Sequence, residues 1–140
     1  MAAIGIPPHQ QHHRNFVDGY LLSQVGPVAE SISEIAAANG VEQIVTLGSR
    51  GFDGHLDHIA AFHAARRAAK KLKLRLLVRF DISQLSEPDL ILSGNRQFKI
   101  DALRHHRSQY DPDTDPATWP NFGPYNNQLE SELYKLYLGE

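Results

Sequence analysis

The sequence predicts an α/β fold with a mostly parallel sheet, and three observations predict it. Apolar runs of strand length at 44–47 and 74–78 flank a segment of helical periodicity at 59–72, so strand, helix and strand follow one another. A loop bearing Gly51 and Gly54 joins the first strand to that helix, and open α/β sheets bind ligands outside the carboxyl ends of their strands. The length of 140 residues suits a single domain spanning 1–140.

Residues 1–14 read as a loop, because Pro7-Pro8 bars regular structure and His9, His12 and His13 follow no pattern. Residues 15–20 form a turn around Asp18-Gly19. The spacing of Val28, Ile32, Ile35 and Ala36 predicts a helix over 26–39, with Pro27 and Glu30 suited to its start and Asn39-Gly40 to its end. Ile44, Val45, Thr46 and Leu47 suit a buried parallel strand within 41–47. The helix over 59–72 buries Ile59, Phe62, Ala65 or Arg66, and Ala69. Its cations, Arg66, Arg67, Lys70 and Lys71, form a solvated face favoured near a helix C-terminus.

Residues 73–80 alternate as a strand, with Leu74, Leu76 and Val78 against Arg75 and Arg79, and Leu77 out of phase. Residues 90–92 make a short edge strand. A helix is expected over 96–108, with Phe98 and Ala102 on one face and Ile100 and Leu103 on another. Residues 111–127 are rich in Pro, Asp, Asn and Gly and read as a long irregular loop; its Trp119, Phe122 and Tyr125 suit docking onto the core or a wall of a site. A last helix is expected over 128–138, with Leu129, Leu133, Leu136 and Tyr137 on its apolar side.

Composition narrows the function classes. A formal net charge of -2 gives no global reason for nucleic-acid or membrane binding. The basic run on the 59–72 helix lacks the interleaved aromatics of a strand-binding groove, so no nucleic-acid partner is expected. With no cysteine, disulfides and thiolate metal sites are excluded. No apolar run has the length of a transmembrane segment, and the N-terminus has no signal-peptide pattern, so a cytoplasmic location is expected.

The candidate site is the stretch Gly51-Phe52-Asp53-Gly54-His55-Leu56-Asp57-His58. His55 and His58 are three apart, so in the first turn of a helix both imidazoles can face one side. Neutral imidazole is a common zinc ligand, and Asp53 or Asp57 suits ligation or orientation of a histidine. The same residue types also occur as simple helix caps, with Asp57 as the N-cap.

Asp53-Gly54-His55-Leu56-Asp57-His58 resembles the Asp-Gly-His-Pro-Asp-His motif of the PIG-L/LmbE family of zinc-dependent N-acetylglucosaminyl de-N-acetylases, with Leu56 in place of the usual Pro. Three further segments are similar to the family in the same order. Ala2 to Ile6 resembles an Ala-rich helix end followed by Leu-Gly-Ile. Asp18-Gly19-Tyr20-Leu21 resembles an Asp-Gly-x-Leu turn. Lys99 to Leu103 with His106 to Gln109 resembles Lys-x-x-Ala-Leu followed by His-x-Ser-Gln.

The resemblance implies a partial Rossmann-like three-layer fold and hydrolysis of the N-acetyl amide of an N-acetylglucosamine-type conjugate. It implies His58 as the zinc ligand and His55 as the group that stabilises the oxyanion or protonates the leaving amine. Asp57 or Asp53 would orient a histidine, and His106 and Gln109 would lie near the active region. The family's His-Pro-Asp-Asp-Glu motif, which supplies two zinc ligands and the base, does not occur in this sequence. The chain is therefore expected to be the C-terminal part of such a deacetylase with its first strands missing, inactive alone and binding zinc only if the missing ligands are supplied. The alternative is a non-catalytic remnant or a binding and assembly module. An uncovered sheet edge would also favour homo-oligomers or association with another chain.

Overall fold

The structure, a computed structural model, describes residues 5–51, 54–80, 87–106, 113–118 and 131–137. Among the described residues are three α-helices, α1 (Val25–Ala38), α2 (Leu56–Leu72) and α3 (Arg96–Leu103). Four strands accompany them: β1 (Gln43–Leu47), β2 (Arg75–Phe80), β3 (Leu90–Ser93) and β4 (Ser131–Tyr137). Short 3-10 turns cover Pro8–Gln10, Leu21–Gln24 and Pro116–Thr118. No helix among the described residues is long and apolar enough to cross a membrane.

The strand order is β1-β2-β4-β3. β1 and β2 pair parallel, with Ile44 opposite Leu76 and Thr46 opposite Val78. β2 and β4 pair antiparallel, with Leu77 opposite Leu136 and Arg79 opposite Tyr134. The fold is thus mixed α/β, but the sheet has one parallel pair and is otherwise antiparallel, not mostly parallel as the order of elements predicts.

The difference lies in the last segment. The helix expected over 128–138 is instead strand β4 over 131–137. Leu133, Leu136 and Tyr137 do recur at helical spacing, but a short run rich in Leu and Tyr fits a strand equally well. A short helix has little stability of its own, whereas pairing with β2 supplies a ladder of main-chain hydrogen bonds. Asp89 fastens the strand: its amide donates to Tyr134 O at 3.0 Å, and its carboxylate accepts Leu136 N at 2.8 Å and Lys135 Nζ at 3.0 Å. The Leu136 amide and the Lys135 ammonium hold the Asp89 carboxyl below its ordinary pKa against the opposing effect of desolvation.

The chain divides into two compact units, one of residues 13–90 with 133–140 and one of residues 1–12 with 91–132. In the first, α2 has two buried rows. Phe62, Ala65 and Ala69 pack with Leu76 and Val78 of β2, and Ile44, Leu74 and Phe80 pack against that cluster. This is the side expected from the sequence, with Ala65 inside and Arg66 exposed. The second row, Ala60, Ala64 and Ala68, is equally buried. α1 packs along α2, and its own buried residues are Ala29, Ser33 and Ala36. Small side chains on both helices permit a close approach. The apolar residues Val28, Ile32 and Ile35, expected as the buried stripe of α1, are only half-buried. The Ser33 hydroxyl donates to Ala29 O at 2.8 Å, so this buried polar group is satisfied.

β2 is buried on both faces, with Leu76, Leu77 and Val78 at 2%, 8% and 0% exposure, which explains why Leu77 breaks the alternation. β1 stands at the end of the strand order, and Val45 is 55% exposed, so the buried strand expected there is half-open. α1 ends where Asn39 N and Nδ2 both donate to Ile35 O. α2 ends in a different way: Leu74 N reaches back to Ala69 O at 2.9 Å around Lys73, which adopts φ 57°.

In the second unit, Asn95 Oδ1 caps α3 by accepting Phe98 N at 3.0 Å, and Ile100 is buried. Lys99 Nζ pairs with Glu132 at 2.9 Å. Of the helix expected over 96–108, α3 occupies Arg96–Leu103, a turn follows, and residues 107 and 108 lie outside the described residues. Within the expected 111–127 loop, residues 113–118 form a turn and a 3-10 segment; Trp119, Phe122 and Tyr125 lie outside the described residues.

Two substitutions test the helix packing and the α2 terminus. Ala64→Leu inserts bulk at a fully buried position and is expected to lower stability by about 1–3 kcal/mol in urea unfolding. Lys73→Gly relieves a left-handed residue that carries a Cβ and is expected to raise it by about 0.5–1 kcal/mol; a lower melting temperature would contradict that account of the helix end.

Candidate functional site

The loop between β1 and α2 is built by close approach. Gly51 N donates to Gly48 O at 2.9 Å, which closes a tight turn. Gly51 is buried with φ 61°, and a Cβ at this position would meet His58 Cβ at 3.0 Å and His55 O at 3.2 Å. Only glycine lets the turn lie directly against the first turn of α2. Phe52 and Asp53 lie outside the described residues.

His55 is the N-cap of α2, with φ -65° and ψ 132°, and the helix starts at Leu56. The cap expected at Asp57 is therefore two residues earlier. The His55 ring caps through Nδ1, which accepts Asp57 N at 3.2 Å. A neutral imidazole that accepts at Nδ1 carries its proton on Nε2. His58 follows on the same side, with ring centroids 5.1 Å apart and planes inclined at 45°. The expected pairing of the two imidazoles in the first helical turn is thus realised. His55 is exposed and His58 half-buried.

Asp57 is 6% exposed and takes a different partner from the one the sequence suggests. Its Oδ2 accepts Gly19 N at 2.6 Å and its Oδ1 accepts Leu21 N at 3.0 Å. Its tie to His55 runs through the Asp57 main-chain amide. Desolvation raises the Asp57 carboxyl, but the Gly19 and Leu21 amides, with lesser help from neighbouring His55 and a hydrogen bond with Asp18, outweigh it, so the pKa lies below its ordinary value. Placement in the first turn of α2 also suits a carboxylate to the positive end of the helix.

The Asp18-Gly19 turn at the far end of these bonds forms as expected, with Tyr20 N donating to Val17 O at 3.2 Å. Sequence reading found the turn and the histidine motif but not the carboxylate that joins them. The only available signal was an Asp-Gly pair whose amides needed an acceptor, and the acceptor lies 38 residues away along the chain.

The remaining candidates are not brought to this pair by any described contact. His9, His12 and His13 are exposed. His106 is exposed, with its amide donating to Leu103 O at 2.8 Å, and Gln109 lies outside the described residues. His63 is exposed and meets the Phe62 ring edge-on at 5.2 Å. Among the described residues, no group of three or more His, Asp or Glu side chains is placed to hold a metal ion. The two imidazoles alone fall short of the three protein ligands of a catalytic zinc, and both Asp57 oxygens are already engaged by amides. Comparison with family models, curated proteins and solved structures finds no match to the chain.

Gly51→Ala is expected to lower stability by about 2–4 kcal/mol, combining left-handed strain with a clash against His58, and to displace the His58 ring resonances. Asp57→Asn replaces an anion that accepts two amides and is expected to lower the urea midpoint at neutral pH. Because the folded pKa of Asp57 is depressed, its contribution is fully present above the ordinary value of 3.8 and is lost as pH falls through the lower folded value. The difference between wild type and Asp57→Asn should therefore shrink below that pH; a difference independent of pH would rule out the ionised carboxylate as its source.

Proposed function

We propose that this chain contributes part of the site of a zinc-dependent de-N-acetylase acting on N-acetylglucosamine-type conjugates. The single observation that carries the reading beyond sequence resemblance is the asymmetry of the histidine pair. His55 accepts the Asp57 amide at Nδ1 and so keeps a proton on Nε2, which makes it a donor. His58 stands beside it, half-buried in the same helical turn. One donor and one ligand are the roles the resemblance implies for these two positions.

Zinc, when bound, supplies Lewis-acid polarisation of an amide carbonyl and activates water. Among the described residues, no set of ligands is completed around His58. Hydrolysis breaks the amide C–N bond, and the departing amine nitrogen gains a proton. His55 Nε2–H is the donor this chain offers, either to the developing oxyanion or to that nitrogen. Asp57 fixes the donor indirectly: its amide holds the His55 ring, and its carboxylate ties the first turn of α2 to Gly19 and Leu21. Gln109 is carried as a further contact on resemblance alone.

The lack of a three-ligand group among the described residues favours a second reading, in which the chain is a non-catalytic remnant or a binding and assembly module. Zinc titration followed by the His55 and His58 ring resonances separates the two. On the first reading, His58 supplies one ligand of a larger set, so excess zinc perturbs both rings weakly and His58→Ala abolishes the response, while substitution of His9, His12 and His13 leaves it intact. No response at the pair, or one that survives His58→Ala, would remove the zinc assignment. The chain alone is expected to give no turnover of an N-acetylglucosamine conjugate; turnover lost in His58→Ala would show that it supplies a full site.

A further inference from the structure

The geometry points to the open edge of β1 as a docking surface for the same strand of a second copy, paired antiparallel about a two-fold axis at Val45. β1 stands at one end of the strand order, and among the described residues no strand pairs with its outer side. The parallel ladder fixes which groups turn that way. Arg75 N donates to Glu42 O at 3.4 Å, and Gln43 lies opposite Arg75. Main-chain groups alternate in direction along a strand, so Glu42, Ile44 and Thr46 turn toward β2 while Gln43, Val45 and Leu47 turn outward. Among the described residues, no turn or loop bond takes up these outward groups. The edge is therefore a row of open N–H and C=O groups, a template for another strand.

The edge is complementary to itself. Setting Val45 opposite Val45 overlaps the whole strand and places Gln43 opposite Leu47, so every hydrogen-bonded pair of the ladder joins outward groups to outward groups. Val45, 55% exposed in the single chain, gains an apolar neighbour across the axis. The flanking charges choose the direction. Glu42 precedes the strand, and its ion pair with Arg75 is long at 3.7 Å and leaves it 87% exposed. Arg50 follows the strand and is exposed. Antiparallel alignment brings the acid of each copy toward the base of the other, whereas parallel alignment sets like against like. Nor does the strand carry the devices that keep edges apart, since Gln43–Leu47 contains no Pro and no charged residue. His55 and His58 take no part in this ladder, which stands or falls separately from the zinc reading.

The test is sedimentation of the full 140-residue chain over a range of concentrations, with amide hydrogen exchange measured at both ends of that range. A dimer is expected as concentration rises. With it, exchange should slow at the Gln43, Val45 and Leu47 amides, while Ile44 and Thr46, already turned to β2, change little. Val45→Lys sets like charges across the axis and is expected to weaken the dimer by about tenfold or more. Ile91→Lys makes the same change on β3, where Ile91 is 60% exposed, and should leave the dimer intact. A monomer at every concentration overturns the pairing. So does a dimer that survives Val45→Lys, that dissociates instead in Ile91→Lys, or that forms without slower exchange at the outward amides. The exchange measurement needs no variant, so the outcome does not depend on how Val45→Lys folds.

Discussion

The Asp57 carboxylate is the interaction on which the site depends. It accepts two main-chain amides, Gly19 N and Leu21 N, from a turn 38 and 36 residues earlier in the chain. A carboxylate can satisfy two donors on alternate residues because its two oxygens diverge, and ionisation strengthens both bonds. The bonds do three things together. They close the segment that leads into α1 onto the start of α2, they satisfy amides that a turn leaves open, and they place an anion where the helix dipole favours it. A neutral side chain of the same shape would present an amide to an amide on one side.

Close approach is the second constraint, and it is met by small residues rather than large ones. Ala60, Ala64 and Ala68 on α2, with Ala29, Ser33 and Ala36 buried on α1, leave no bulk between helices that pack together. Gly51 does the same for the loop, lying against His58 where a methyl group would collide. The histidine pair is therefore seated on a rigid base: α2 is gripped by β2 through Phe62 and by α1 through its alanines, and the loop is pressed onto its first turn. A site mounted this way loses little entropy on engaging a ligand.

Much of this was legible in the sequence, for reasons that are local. The helices over 26–39 and 59–72 carry clear periodicity and stop signals, and they appear as α1 and α2 within a few residues. The histidine pair follows from spacing alone once a helix start is granted. What was not legible is non-local. β4 reads as a helix because its apolar residues satisfy both periods, and only the antiparallel ladder with β2 decides between them. The alanine row of α2 is silent because alanine is permitted on any face of a helix; burial of Ala64 at 0% exposure depends on α1 arriving beside it. Asp57 reads as a cap because carboxylates at helix starts usually are, and its true partners belong to a distant turn.

The cap of α2 also fixes how the His55 ring is used. His55 caps α2 by accepting the Asp57 amide at Nδ1. That acceptance leaves the ring proton on Nε2, so the cap itself selects the tautomer in which His55 donates. His58 follows three residues later, with its Cβ against Gly51. Two chemically identical side chains three residues apart thus meet different main-chain surroundings: His55 accepts an amide at the helix terminus, and His58 lies against a glycine turn.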